Sequence, residues 1–300
     1  MKNLILSNKV KKNIFVYSLI AYPMILFAVF YIGLNAKMIL MAFQTVKGGE
    51  LVFAGLSNFK MVFEKLSIDP LFYTSAINSI KMTVICFIIS VPFYFVFAYY
   101  IYKHRFLSKT MRFIIMLPNI VSNMIVILVF KRVVEDVLPN IFGNVADFPN
   151  LLTDERYAFA TQVFFNIWIS FSSNVLVYPN AMNSIPPEII ESAKLDGVNM
   201  FQEFCYIIMP YIYPTFTTFT VTNVATMFAS SGFLVTFFYY DKCPPAAYNM
   251  GYYLTVTVMK ASSTAQLCFA AAAGLILTFV SAPMTLVLKK VMEKYGPSED

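Results

Sequence analysis

Charge is what this chain has least of. Only 13% of its 300 residues are Asp, Glu, Lys or Arg, about half the usual share, while 59% are hydrophobic and the mean hydropathy is +0.68. A soluble globule is excluded by those values, and an integral membrane protein is implied. Histidine is nearly missing. His104 stands alone among Lys103, Arg105 and Lys109 in a connector, where a solvated juxtamembrane residue is expected rather than a catalytic base. The cysteines Cys86, Cys205, Cys243 and Cys268 are far apart, with no CxxC pair and no neighbouring histidine, so neither a zinc site nor a redox motif is supported and inert buried thiols are expected. A GxxxxGK[ST] phosphate loop, an HExxH motif and a nucleophile with its base are all lacking, so no cofactor is expected in the chain and it cannot itself hydrolyse ATP. The net charge of +6 gives no nucleic-acid face, because Lys and Arg lie in short clusters at the ends of apolar runs.

What is present is a series of apolar runs. A span needs roughly 20 apolar residues, so the chain has room for about six and no separate soluble domain. The expectation is an all-α membrane protein forming one domain over residues 1–300, with spans near 13–36, 76–102, 113–130, 157–182, 211–237 and 265–288. Lys2, Lys9, Lys11 and Lys12 precede the first run, which is too long for a secretory signal and is read as a retained span kinked at Pro23. Residues 43–73 are mixed in composition and are read as an outer segment with a short surface helix near Asn58 to Leu66. Lys103, Arg105, Lys109 and Arg112 mark a cytoplasmic connector, residues 131–156 an outer loop, and Lys289-Lys290 a cytoplasmic end, which puts both termini in the cytoplasm.

The inner loop over 183–209 breaks the positive trend, since Lys194 is its only cation against Glu188, Glu191, Asp196 and Glu203. Pro186 and Pro187 suit the first positions of a helix, Glu188 and Glu191 its positive N-terminal end, and Gly197 a left-handed C-cap. Asn199 then caps a second helix in which Phe201, Phe204, Cys205 and Ile208 recur at helical spacing. An amphipathic surface connector would explain that much.

The spacing adds something specific. Glu191, Ala193, Gly197, Ile207 and Pro210 stand at the positions of the EAA, three residues, G, nine residues, I-x-L-P pattern, with Ser192 and Met209 as the departures. In this the loop resembles the cytoplasmic loop of ABC importer permeases. Ile185-Pro186-Pro187-Glu188, Leu195-Asp196-Gly197, Trp168 and Gly55-Leu56-Ser57-Asn58-Phe59 are similar to the maltose-type, carbohydrate branch. The resemblance implies a type I ABC importer permease fold in a bacterial plasma membrane. It also implies a second homologous permease, two ATP-binding subunits that hold ATP and magnesium, an extracytoplasmic solute-binding protein and a carbohydrate substrate. The first loop helix would be the coupling helix, with Glu188, Glu191, Ala193, Asp196 and Gly197 at the ATPase contact, Glu191 as the salt-bridging residue and Ile189, Ile190 and Ala193 as apolar grip.

No charge falls near the middle of an expected span, which speaks against a proton-coupled carrier and for a neutral, hydroxyl-rich solute. Thr215, Thr218, Thr222, Thr226 and Ser230 recur every three or four residues in the fifth span, and Asn166, Ser170, Ser173 and Asn174 in the fourth. Two polar faces of this kind can line a substrate pathway, with Phe216, Phe219, Phe228 or Trp168 available to stack on a sugar; close helix packing is the other use of such residues. An importer of glycerol phosphate is the nearest alternative, and a non-transporting scaffold or membrane enzyme the alternative of another class.

Overall fold

The computed structural model describes residues 8–142 and 148–297. Lys2, expected to help hold the N-terminus in the cytoplasm, lies outside them. Contacts divide the chain into one unit of residues 1–64 with 261–276 and a second of 65–260 with 277–300.

In the first unit, α1 (Asn8–Leu26) continues through a π-helical stretch, Phe27–Gly33, into α2 (Leu34–Ala42). The apolar rod from Lys12 to Ala42 has 31 residues, longer than the expected 13–36. Pro23 lacks the N–H that a helix interior uses, yet α1 continues through it, and the register changes only from Phe27. A hairpin follows, β1 (Gln44–Lys47) against β2 (Glu50–Phe53). Gly48 and Gly49 turn it with φ of 60° and 88°, the left-handed pair that a tight two-residue hairpin requires. The expected surface helix is α3 (Ser57–Ile68), whose buried Asn58 donates to the carbonyls of Ala42 at 2.9 Å and Gln44 at 2.7 Å.

The second unit is built on α4 (Pro70–Tyr102) and α8 (Ala158–Met182). Asp69 caps α4 by accepting from the N–H groups of Leu71 at 3.0 Å and Phe72 at 3.3 Å, with Pro70 in the first turn, so this helix begins six residues before the expected Ala76. The third expected span, 113–130, is not one helix. It divides into α5 (Ser108–Ile120) and α6 (Asn123–Arg132), bent by 97° where Val121 and Ser122 turn extended just beyond Pro118. The start of the expected loop at 131–156 is helical as well, through a π stretch Val133–Val137 and α7 (Leu138–Phe142). The inner loop forms α9 (Pro187–Leu195) and α10 (Met200–Gln202), and a π stretch, Glu203–Ile208, leads into α11 (Met209–Thr226).

The fifth expected span, 211–237, also breaks. After Thr226 the chain turns through Ser230, Ser231 and Gly232, whose φ is 57°, into α12 (Leu234–Phe238). Ser230 Oγ accepts from the Gly232 N–H at 3.1 Å, a local bond that competes with the helix ladder. A 3-10 turn, Pro245–Ala247, and α13 (Met250–Met259) follow, and then α14 (Thr264–Tyr295), longer than the expected 265–288 and shared between the two units.

Among the described residues three helices are long and apolar enough to cross a membrane, at Lys12–Ala42, Pro70–Tyr102 and Thr264–Tyr295, with the bent pair as a fourth candidate. The expected fourth and fifth spans correspond to α8, of 25 residues, and α11, of 18, in which Asn, Ser and Thr dilute the apolar run.

Among the described residues, two buried clusters bear on the packing of the second unit. Phe165 of α8, Val126 and Ile127 of α6, Leu234 and Phe237 of α12 and Tyr252 of α13 form one, with Trp168 ringed by Phe130 and Phe165 at its edge. Tyr94, Phe95 and Ala98 of α4, Tyr178 and Met182 of α8, Ile190 of α9 and Ile208 and Ile212 form the other. α13 is fastened to α4 by polar bonds. Ser79 Oγ accepts from Met250 N at 2.9 Å, and Asn78 donates to the carbonyls of Ala246 at 2.9 Å and Tyr248 at 3.0 Å. Tyr253 donates to Asp69 Oδ2 at 3.1 Å and accepts from Lys65 at 3.2 Å; burial, then the neighbouring carboxylate, pushes its phenol above the ordinary tyrosine range.

Gly251 sits where α13 meets the broken segment. A Cβ there would overlap the Ser230 carbonyl and approach Ser231 N at 2.6 Å, and a backbone contact cannot swing aside. Gly251→Ala is expected to destabilise the protein by about 1–3 kcal/mol, as overpacking does. A drop in the thermal unfolding midpoint of detergent-solubilised protein, followed through Trp168 fluorescence, checks this; an unchanged midpoint would show that the approach of α13 is looser.

Candidate functional site

A cavity of about 250 Å³ opens between α4, α8, α11 and the broken segment. Its wall is polar and uncharged: Ser79, Thr83, Ser90 and Tyr94 from α4, Asn166, Ser170 and Asn174 from α8, Asn223 and Thr226 from α11, Ser230 at the break and Asn249 before α13. None of the described lining residues carries a charge. Helical spacing puts the α8 trio on one face, and Tyr94 Oη lies 2.6 Å from Ser170 Oγ, joining α4 to α8 at the wall.

The lining spends its donors inward. Thr83 donates to Ser79 O at 2.9 Å, Thr226 to Thr222 O at 3.0 Å, Asn166 to Gln162 O at 2.9 Å and Asn174 to Ser170 O at 2.8 Å. Each then retains an oxygen acceptor, Asn166 and Asn174 each keep a second amide N–H, and Asn249, whose Oδ1 accepts from Tyr252 N at 2.8 Å, keeps its amide donors. Such a wall suits hydroxyl groups, which both donate and accept, and disfavours anions, for which the described lining supplies no compensating cation. Among the described residues no cluster of three or more metal-ligating side chains occurs.

Of the sequence-predicted pathway residues, Asn166, Ser170, Asn174, Thr226 and Ser230 line this cavity. Ser173 turns instead to α5, accepting from Asn119 Nδ2 at 3.1 Å. Thr218 and Thr222 lie on α11 outside the lining, donating to Pro214 O at 2.9 Å and Thr218 O at 2.8 Å. Ser230 is not on the same helix as the threonines, because α11 ends at Thr226. Of the four aromatics considered for stacking, Phe219 alone is in the lining, joined by Phe87 and Tyr94 of α4. Phe216 packs on Phe87 and Phe95, Phe228 is buried, and Trp168 belongs to the other core. The contribution of α4 was missed. Ser79, Thr83, Cys86 and Ser90 do carry a three-to-four spacing, but Ile, Phe and Val between them mask it.

The loop follows its local signals closely. Pro187 occupies the first turn of α9; beyond Asp196, Gly197 has φ of 73°. Val198 N bonds Ala193 O at 3.1 Å and Gly197 N bonds Lys194 O at 3.2 Å, the double closure of a Schellman end. Asn199 and Gln202 form a reciprocal capping box with bonds of 2.9 and 3.0 Å.

Burial corrects the assignment of faces. Ile190 and Ala193 are each 7% exposed and Ile189 is half-buried; the first two pack within this chain, so they are not grip for a partner. Glu188, Glu191 and Asp196 are exposed, and the opposite face of α9 carries Glu188, Glu191 and Leu195, the last 90% exposed. None of these three acids has an ion-pair partner among the described residues. Phe201, 75% exposed, and Met200 extend the apolar surface beyond the turn. Glu203 is the exception among the acids: it is buried and paired with Lys103 at the end of α4.

The family described as "Binding-protein-dependent transport system inner membrane component" matches residues 90–295, which include the loop and the cavity lining from Ser90 onward. The arabinooligosaccharides transport system permease protein AraP of Bacillus subtilis (strain 168) is 27% identical over 202 residues, 65% of this chain and 63% of AraP, so the match spans under two thirds of that relative. The sn-glycerol-3-phosphate transport system permease protein UgpA of Shigella dysenteriae serotype 1 (strain Sd197) is 27% identical over 217 residues, 71% of this chain and 72% of UgpA. Among solved structures, a chain of a bacterial ABC transporter involved in the import of the acidic polysaccharide alginate superposes with a TM-score of 0.80 at 19% identity, covering 96% of this chain and 98% of that one, a likeness of fold.

Gly197→Ala is expected to cost about 1–2 kcal/mol, the strain of an L side chain in the left-handed region, and to loosen the turn between α9 and α10. Limited proteolysis checks it: faster cleavage near Gly197 is the expected outcome, and an unaltered pattern would mean that the Schellman closure tolerates the side chain.

Proposed function

Because the chain belongs to the family of inner membrane components of binding-protein-dependent transport systems, we propose that it is the permease subunit of an ATP-driven importer for a neutral oligosaccharide or related polyol. The uncharged, polar cavity between α4, α8 and α11 carries the substrate class. Sugar hydroxyls donate to the oxygens of Asn166, Asn174 and Thr226, while Phe87 or Phe219 offers a ring to the apolar sugar face. A phosphate or carboxylate would need a cation that the described lining does not supply, which sets the reading against import of glycerol phosphate or of an acidic polysaccharide. A membrane enzyme is disfavoured because the same wall holds no nucleophile with a base beside it.

The energy comes from outside the chain. Two separate ATP-binding subunits hold ATP and magnesium, and a second, homologous permease completes the membrane pair. An extracytoplasmic solute-binding protein delivers the substrate, and both termini face the cytoplasm. The exposed face of α9 contacts an ATP-binding subunit: Glu188 and Glu191 offer carboxylates to cations of that partner and Leu195 an apolar anchor, as charged and apolar groups combine at protein interfaces. Gly197 and Asn199 keep this face rigid.

In proteoliposomes containing the complete complex and its binding protein, a neutral arabino-oligosaccharide is expected to enter with ATP hydrolysis, and excess glycerol 3-phosphate or alginate oligosaccharide is expected not to compete. Competition by either anion overturns the neutral class, and absence of ATP-dependent uptake across neutral and anionic solutes points to a scaffold.

Within the cavity, Asn174→Leu and Thr226→Val each remove an acceptor and are expected to lower uptake about three- to tenfold, as loss of one hydrogen bond does, with complex assembly intact. Thr218→Val, outside the lining, is expected to have a smaller effect. Equal effects at all three positions would return the hydroxyls to helix packing.

A further inference from the structure

The ion pair between Lys103 and Glu203 joins two segments far apart in the sequence, and neither residue belongs to the cavity or to the exposed face of α9. Lys103 directly follows the last residue of α4, at its C-cap, and Glu203 opens the π stretch between α10 and α11. Their side chains are 17% and 7% exposed. The Lys103 ammonium also lies over the rings of Tyr99 at 5.6 Å and Tyr102 at 5.8 Å, so the cation is enclosed on several sides. Around it, Tyr99 Oη donates to Met200 O at 3.3 Å and the Phe204 ring meets Tyr99 at 5.5 Å. The loop is therefore attached to α4 by charge, by a hydrogen bond and by aromatic packing at one place.

A buried ion pair is a weak source of stability, because desolvating both charges offsets most of their attraction. What it supplies is definition of position. Either charge displaced from the other is left buried and unpaired, so the two segments shift together or the pair is lost. Between this pair and Tyr94 of the cavity wall α4 has no proline, Pro92 lying beyond; Tyr94 is roughly 14 Å from Lys103 at 1.5 Å per residue. A π stretch, in which helical register is already altered, is also a place where rotation of α9 and α10 would dissipate unless anchored.

We propose that Lys103 and Glu203 are positioning residues that make the loop and α4 one mechanical element, so that displacement of α9 by an ATP-binding subunit reaches the cavity wall. This rests on the importer reading. Removing the pair lets α9 dock and follow its partner while α4 lags, and ATP is then hydrolysed with less solute moved.

The test uses the complete complex in proteoliposomes and reads arabino-oligosaccharide taken up per ATP hydrolysed. Glu191→Ala serves as the reference for docking: if it leaves association with the ATP-binding subunits and uptake unchanged, the docking reading fails irrespective of the ion pair. The double variant Lys103→Met with Glu203→Gln removes both charges without orphaning one. It is expected to keep ATPase association but to lower the uptake-to-ATP ratio about tenfold, within the usual range of coupling between sites. Lys103→Arg, which preserves both the pair and the ring contacts, is expected to retain the ratio. An unchanged ratio in the double variant, or an equal loss in the Arg variant, overturns the proposal. If the double variant does not assemble, the same ratio is read on Glu203→Asp, which shortens the reach of the carboxylate while keeping both charges; a partial fall is expected there, and no change is decisive against the proposal.

Discussion

Ile190 of α9 and Ile208 of the π stretch are buried with Ala98 of α4 and Tyr178 and Met182 of α8, and the second unit depends on that shared core. A nine-residue helix is too short to persist alone in water, and α9 forms because one side is covered by the bundle while Pro187 starts it and the Schellman turn closes its C-terminal end. The burial also fixes which residues remain outside. With Ile190 and Ala193 turned in, the 3.6-residue period leaves Glu188, Glu191 and Leu195 facing out. Close-packed interiors transmit displacement rather than absorb it, so the core that holds the loop also ties its position to those of α4 and α8.

The same helices that carry the core carry the cavity. α4 presents Phe95 and Ala98 to one and Ser90 and Thr83 to the other, and α8 divides Tyr178 from Asn174 in the same way. Polar lining weakens the apolar character of α8 and α11, which is why neither is apolar enough to register as a span by composition. Breaks in the bundle coincide with the cavity as well. The turn at Ser230 to Gly232 exposes backbone beside Asn249, a feature tolerated within a membrane protein where the chain lines a polar space.

Much of this was legible from the chain alone where the determining interactions are local. Pro187, Gly197 and Asn199 predicted the start, the stop and the next start of the loop helices, and Schellman closure and capping box form there, because each cap is a contact between residues a few positions apart. The α8 trio Asn166, Ser170 and Asn174 was found for the same reason, since helical spacing alone aligns them. The fifth stretch was misread because an uncharged run of residues looks continuous by hydropathy, whereas Ser230, Ser231 and Gly232 are poor helix formers and α13 packs directly against them. The bend beyond Pro118 escaped notice likewise.

Composition settled that this chain is a helical membrane protein, because too little charge remains to cover a water-soluble surface, and local spacing settled where the loop turns. Tertiary structure alone decided which face of α9 is buried, that Thr226 reaches the cavity while Thr218 does not, and that Lys103 finds Glu203. Those outcomes depend on the packing of α4, α8 and α11 against one another, and long-range packing is set by the shapes of whole helices, which no short window of sequence contains.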